Sequence, residues 1–361
     1  MHEQQADVSA KSPETYCFIR NDRMGDLILT LPVLRAFKQL KPTARLLVVC
    51  SDENIKLARQ FDFIDEIVLI NKPKNIQDLR LALNLLNQFA ITHAFNCSPG
   101  FQNLVMLAAL RANGKSSMIY QSRYQKASRF SKIQYRMVCE LFSIRSQIVD
   151  RRSRFEKNQI IHQTHMIQKL VQATHQVEHY ETLLLRKKNQ SIQAAYSNRI
   201  MIHASARWLG KGYTENDFIN LIQNINRISG KVMITTDAGS SRVFHQIYRK
   251  YPSVNDSNLT KNDYLKHDII IANELDFPNW QAMIASTKSV ITYECGCVHM
   301  AALYHKKTII VYDPDNVPEM IHAEYRPWIK NYQAIMVRRQ EVNHLVLETL
   351  KANELALPRE R

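Results

Sequence analysis

The chain has 361 residues, 45% of them apolar and 22% charged, which excludes a disordered tail or a disulfide-framed miniprotein and leaves room for two domains of ordinary size. With only 8 glycines and 11 prolines, collagen-like and low-complexity readings are excluded as well. Lys and Arg outnumber Asp and Glu by 48 to 33, and the formal charge of +15 calls for an anionic partner: phosphate, nucleic acid or a lipid surface.

No apolar run approaches the roughly 20 residues that a membrane-spanning helix requires. The opening MHEQQADVSAKSPETYC is polar and acidic where a secretory signal carries an apolar segment, so a cytoplasmic location is expected. Cys17, Cys50, Cys97, Cys139, Cys295 and Cys297 lie mostly in apolar stretches without the spacing of a disulfide framework, and read as core thiols.

From residue 16 onward, short β-rich runs alternate with helix-period segments, which predicts parallel sheets covered by helices. The first strand is Tyr16–Arg20. A loop over 21–25 follows, then a helix with Val33, Leu34, Phe37 and Leu40 on one face, which Pro32 either begins or kinks. Strands at Arg45–Cys50, Glu66–Ile70 and His93–Cys97 alternate with helices at Ile76–Phe89 and Asn103–Arg111. Over 121–160 ten basic residues, among them Arg123, Lys126 and Arg129, face three acidic ones.

Residues 186–198, RKKNQSIQAAYSN, are polar and non-periodic and mark a linker. The expected division is therefore a domain at 1–185, a second at 186–335, and a last segment at 336–361 whose amphipathic helix, Glu341–Leu350, returns to the first domain. Within the second domain strands are expected at Arg199–His203, Lys231–Thr236, Asp268–Ala272, Ser289–Thr292 and Thr308–Tyr312. Helices are expected from Thr214, where Thr-Glu-Asn-Asp resembles a capping box, and at Ser240–Tyr251, Trp280–Ser286 and Val298–Tyr304. Ligands of open α/β sheets sit at the carboxyl ends of the strands, which selects the loops at 21–26, 204–213, 237–240 and 293–298.

The first of these loops carries Arg23, Gly25 and Asp26. Gly25 permits a tight turn, and Asp26 stands where a helix begins, either as its N-cap or with its carboxylate facing the ligand. The loop from His203 to Tyr213 gathers Ser205, Arg207 and Lys211 ahead of a helix N-terminus, equipment suited to a diphosphate. In the loop from Thr292 to Ala302, Cys295, Cys297 and His299 lack the paired spacing of a zinc site, and no metal is expected there. Glu294 and Gly296 at a strand-to-helix turn fit a sugar or ribose hydroxyl better. Asp313-Pro314-Asp315 has the letters of a metal-binding D-x-D but reads as a turn.

Taken together, these segments resemble the heptosyltransferases of lipopolysaccharide core assembly, glycosyltransferase family 9. Phe18–Pro32 resembles that family's strand, Gly-Asp turn and T-x-P helix start. Phe61–Ile67 is similar to its next strand, IHASARWLGKGYTENDF to its phosphate loop with Lys211 on the family lysine, and Val290–Leu303 to its D-T-G-x-x-H-x-A-A segment, with His299, Ala301 and Ala302 in step. Glu294 and Cys295 replace the family's Asp-Thr, and Tyr213 takes a position often held by Trp.

The resemblance implies a GT-B fold, two Rossmann-like domains with parallel sheets facing across a cleft. It also implies inverting transfer from a nucleotide-diphosphate sugar, ADP-heptose foremost, to a lipid-linked core oligosaccharide, without a metal or other cofactor. Asp26 is then the general base and Lys211 the group that steadies the leaving diphosphate. Ser205, Arg207, Glu294, Cys295, Gly296 and His299 bind the donor. Arg23, Gly25, Arg123, Lys126 and Arg129 meet the acceptor, beside the anionic inner face of a membrane. Two other readings remain open at this point: a sugar-nucleotide binder of the same fold, such as an epimerase relative, and a nucleic-acid-binding protein, for which charge is the sole argument.

Overall fold

A computed structural model of the protein describes residues 13–120, 129–149, 160–177, 183–185, 190–236 and 239–355. The chain divides into two compact units, Met1–Asn158 with Thr164–Glu181 and Gln159–Gln163 with Thr182–Arg361.

The first unit is built on six parallel strands: β1 (Thr15–Ile19), β2 (Arg45–Cys50), β3 (Glu66–Leu69), β4 (Ile91–Asn96), β5 (Ala112–Tyr120) and β6 (Arg145–Val149). Their order is β3-β2-β1-β4-β5-β6, that of a Rossmann sheet. β1 is buried throughout, as expected of an apolar central strand flanked on both edges. β5 and β6 extend the sheet beyond the strands expected from sequence. Ala-Asn-Gly-Lys-Ser-Ser opens β5 and Arg-Ser-Gln opens β6, so neither shows the apolar run that marks a buried strand.

Helix α1 (Met24–Leu40) runs through Pro32, which is buried mid-helix and withholds an N–H from the ladder without ending it. Three further helices, α2 (Ile55–Ala58), α3 (Ile76–Leu86) and α4 (Phe101–Ala109), complete the turns between strands, and α5 (Arg129–Leu141) joins β5 to β6. Cys17, Ile19, Leu47, Val49, Ala94, Leu104 and Leu107 form the core between sheet and helices. The Thr164 hydroxyl donates to the Leu29 carbonyl at 2.8 Å and fastens the helix Gln163–Gln172 to α1.

The second unit has seven parallel strands: β7 (Ile200–Ala204), β8 (Val232–Thr236), β9 (Ser253–Val254), β10 (Ile269–Ala272), β11 (Ser289–Tyr293), β12 (Lys307–Val311) and β13 (Tyr332–Ile335), in the order β13-β12-β11-β7-β8-β10-β9. The capping box at Thr214 forms as expected, the Asp217 N–H donating to Thr214 Oγ1 at 3.3 Å and the Thr214 N–H to Asp217 Oδ2 at 2.7 Å.

Two sequence expectations are corrected here. Part of the expected linker, Gln190–Tyr196, is a helix with Ile192 and Tyr196 buried; that i, i+4 pair is too small an apolar signal to stand out in a polar stretch. The last helix, Val342–Leu355, packs within the second unit instead of returning to the first. Its Val342, Val346 and Leu350 enter the same core as Phe218, Leu221 and Ile291, and Asn343 donates to the Asp217 carbonyl at 2.8 Å. An amphipathic stripe says that a helix must be covered but not by which domain.

Candidate functional site

In each sheet the strand connections reverse direction at one place, and there the two loops that follow neighbouring strands part and leave a crevice. That switch point is β1/β4 in the first unit and β7/β11 in the second. The loops concerned are the ones at 20–26, 97–100, 205–214 and 294–295, and they contain most of the residues singled out by sequence.

After β1 the chain enters α1 with Arg23 as an exposed N-cap residue and no side-chain cap. Asp26 is therefore not the cap but the third helical residue, its carboxylate in the first turn where the helix dipole favours negative charge. Gly25 is buried one position before it. The Arg20 guanidinium, fully buried, reaches both acidic groups of the turn: Nη2 donates to Asp26 Oδ1 at 3.2 Å, Nε lies 3.4 Å from Asp22 Oδ1, and Nη1 donates to the Cys97 carbonyl. Burial opposes the charge on Arg20, but the two carboxylates outweigh it and keep the group ionised. Burial pushes Asp22 up to about 6, against the pull of Arg20 and with the help of the Asp26 charge.

Neither Arg20 nor Asp22 was singled out by sequence, nor were the amides that fix this turn. Asn54 Nδ2 donates to the Arg20 carbonyl at 2.7 Å, Asn103 Nδ2 to Asn21 Oδ1 at 2.7 Å, and the Ser51 hydroxyl to the Asp22 carbonyl at 2.9 Å. The available signal was polar residues directly following apolar strands, as in Cys50-Ser51 and Cys97-Ser98.

In the second unit Ser205 is buried at the end of β7, and its Oγ has no hydrogen-bond partner among the described residues. Arg207 is exposed yet engaged: its Nη1 donates to both the carbonyl and the carboxylate of Glu294, so these two residues are held together across the β7/β11 switch point. Lys211 lies on a tight turn closed by the Gly210 and Tyr213 backbones. It is exposed, with no hydrogen bond or ion pair among the described residues. The turn needs its glycines. Gly212 has φ +81°, and a Cβ there would meet Gln340 Nε2 at 2.3 Å.

Arg339, which sequence left in the terminal segment, braces this loop. It donates from Nη1 to the carbonyls of Arg207 and Trp208 at 3.2 and 3.3 Å, from Nη2 to Asp313 at 2.8 Å and from Nε to Asp315 at 3.4 Å. Asp313-Pro314-Asp315 is the turn expected, and its carboxylates are engaged by that cation. Among the described residues no group of three or more His, Cys, Asp or Glu side chains is arranged to hold a metal ion.

Cys295 is the N-cap residue of the helix Gly296–Leu303 and, unlike the other five cysteines, is only half-buried. Burial pushes its thiol up, but hydrogen bonding and charge from His203, with hydrogen bonds from Thr292 and the Cys297 N–H, outweigh it and hold the thiol below its ordinary range. His299 is buried in the same helix, pushed down to about 3 by desolvation and then by the charge of His162. Its Nδ1 has no partner among the described residues. Of the basic stretch, Arg123 and Lys126 lie outside the described residues and Arg129 opens α5. Along α5, Ile133, Met137 and Leu141 are exposed at i, i+4 spacing, with Arg136 exposed beside them.

No protein-family model matches the sequence, and no curated protein matches it. Solved structures do match. A glycosyl transferase family 9 protein from Veillonella parvula aligns over 96% of this chain and 90% of its own with a TM-score of 0.66 at 12% identity. The E. coli ADP-heptose lipopolysaccharide heptosyltransferase II covers 95% and 100% with a TM-score of 0.64 at 13% identity, and the E. coli heptosyltransferase WaaC, solved with ADP-2-deoxy-2-fluoro heptose, 94% and 99% with 0.60 at 15%. A putative UDP-N-acetylglucosamine 2-epimerase from Listeria monocytogenes also aligns, with a TM-score of 0.56 at 10% identity. With two parallel α/β sheets of six and seven strands and these neighbours, the chain has the GT-B fold.

Proposed function

We propose that the protein is an inverting glycosyltransferase that moves a sugar, heptose foremost, from a nucleotide-diphosphate donor to a lipid-linked core oligosaccharide. The observation that carries this reading is the coincidence, in a GT-B fold, of both switch points with the loops holding Asp26 and the Ser205–Lys211 segment. In this mechanism the acceptor hydroxyl oxygen attacks the anomeric carbon while Asp26 takes its proton. The carbon–oxygen bond to the diphosphate breaks on the opposite face, and the nucleoside diphosphate leaves. Lys211, free of an ion pair among the described residues, offsets the charge that grows on the leaving phosphate. The unpartnered Ser205 hydroxyl supplies a further donor, a use that accounts for its burial.

Arg207 and Glu294 act as a pair, the guanidinium toward phosphate oxygens and the carboxylate toward sugar or ribose hydroxyls, with the Gly296 backbone, Cys295 and His299 completing the donor side. The acceptor side comprises Arg23, Gly25 and the basic segment that includes Arg123, Lys126 and Arg129. An exposed apolar stripe on α5 beside basic residues suits an amphipathic helix lying on the anionic inner face of a membrane. No helix among the described residues is long and apolar enough to cross one.

Asp26→Asn tests the reading. Transfer from ADP-heptose is expected to fall by about 10²–10⁴-fold with ADP binding unchanged. Undiminished turnover would remove Asp26 as the base and favour a sugar-nucleotide binder or epimerase-like protein of the same fold.

A further inference from the structure

The turn after β1 holds more charge than one base requires. Arg20 is fully buried, and its guanidinium is divided between two carboxylates four residues apart, Asp22 on the Nε side and Asp26 on the Nη2 side. The contact to Asp26 is a hydrogen bond, whereas the contact to Asp22 is an ion pair without one: neither Arg20 Nε nor Asp22 Oδ1 has a hydrogen-bond partner among the described residues. A largely buried carboxylate oxygen that faces a guanidinium without a hydrogen bond is costly, so a purely structural origin is a poor explanation for it.

We propose that Asp22 is a positioning residue for the base: when ionised it shares the Arg20 cation with Asp26, and when protonated it releases that cation to Asp26 alone. The inference rests on the assignment of Asp26 as base. Its physical content is simple. A carboxylate that holds a buried guanidinium to itself gives up negative charge density and becomes a poorer proton acceptor, and a second carboxylate on the same guanidinium reverses this.

Other charges bear on Asp22. Lys72, in the loop after β3, favours its ionised form, as does Arg20, while Asp26 on α1 and burial oppose it. Cys97 after β4 and Tyr120 at the end of β5 act on Arg20. With burial lifting Asp22 to about 6, a proton exchanges at this position within the ordinary range of cytoplasmic and mildly acidic pH.

The test is a carboxyl titration by NMR of the full chain carrying isotope-labelled aspartate, from about pH 4 to about pH 8, in wild type, Asp22→Asn and Asp26→Asn. The wild type is expected to show one aspartate step near pH 6. Asp22→Asn removes that step, and Asp26→Asn moves it to lower pH because the second carboxylate is gone. A step that survives Asp22→Asn, stays put in Asp26→Asn, or is missing from the wild type overturns the proposal.

A pH–rate profile with ADP-heptose as donor supplies the second arm. Asp22→Asn is expected to lower kcat by about tenfold with the donor KM unchanged and to lose the acid limb near the wild-type step, with Asp22→Glu restoring the limb. A merely structural Asp22 would lower the rate and leave the limb in place, which also overturns the proposal. Normal turnover by Asp26→Asn would defeat the base assignment itself while leaving the titration result standing, so the two failures are distinguishable.

Discussion

Each unit places one buried arginine between two aspartates at the carboxyl edge of its sheet: Arg20 between Asp22 and Asp26, Arg339 between Asp313 and Asp315. The resemblance ends at the surroundings. The Asp22 and Asp26 side chains are 13% and 22% exposed, while those of Asp313 and Asp315 are 36% and 72% exposed. Arg339 also donates to two loop carbonyls, so its planar fork acts as a brace that shapes the Ser205–Tyr213 segment while water screens its two carboxylate partners. Arg20 is fully buried, with both acids within ion-pair distance of it. One constellation thus serves as scaffold where carboxylates are wet and as an electrostatic control where they are dry.

The largest effects that could break this contrast come from removing the cations. Arg20→Met is expected to cost about 4 kcal/mol, since it strands two largely buried carboxylates, and Arg339→Met about 2 kcal/mol, since its partners fall back on water. Urea unfolding midpoints compare them directly, and equal losses would abolish the distinction.

Neutralising one acid gives a smaller and opposite effect. The folded value of Asp22, about 6, lies above its unfolded value of 3.8, so ionising it opposes folding. Stability falls as pH rises between those values, and the penalty is complete above about pH 6. Asp22→Asn is therefore expected to gain about 1–3 kcal/mol at neutral pH, a gain that disappears below about pH 4, whereas Asp315→Asn changes stability by under about 0.5 kcal/mol at any pH. Thermal melts across pH read both variants, and a destabilised Asp22→Asn would reverse the sign argued here.

The smallest expected change sharpens the role of the loop that Arg339 braces. Lys211→Ala is expected to weaken ADP binding by about tenfold with no change in melting temperature, because Lys211 is exposed and makes no hydrogen bond or ion pair among the described residues. Calorimetric titration checks it; unaltered affinity would leave the braced loop without its phosphate role.

Much of this architecture was legible before any coordinates. Apolar, β-rich runs such as Tyr16–Arg20 and Arg45–Cys50 identify central parallel strands because both their faces must be buried, and Thr214 with Asp217 announces a helix start through purely local hydrogen bonds. Polar edge strands such as β6 escaped because pairing, not composition, makes them strands. The positions of Asp26, in the first turn of the helix after β1, and of Ser205, directly after β7, were legible for the same local reason.

The amino-acid sequence by itself determined the alternation of strands and helices, the positions of the loops at the sheet edges and the polar groups that those loops carry, since each depends on neighbours a few residues away. The tertiary structure alone decided that Arg339 reaches back 132 residues to the Arg207 carbonyl, that Arg207 is held by Glu294 across 87, and that the last helix closes the second core. Those outcomes depend on which strands lie side by side at each switch point, and the distance along a chain carries no record of that.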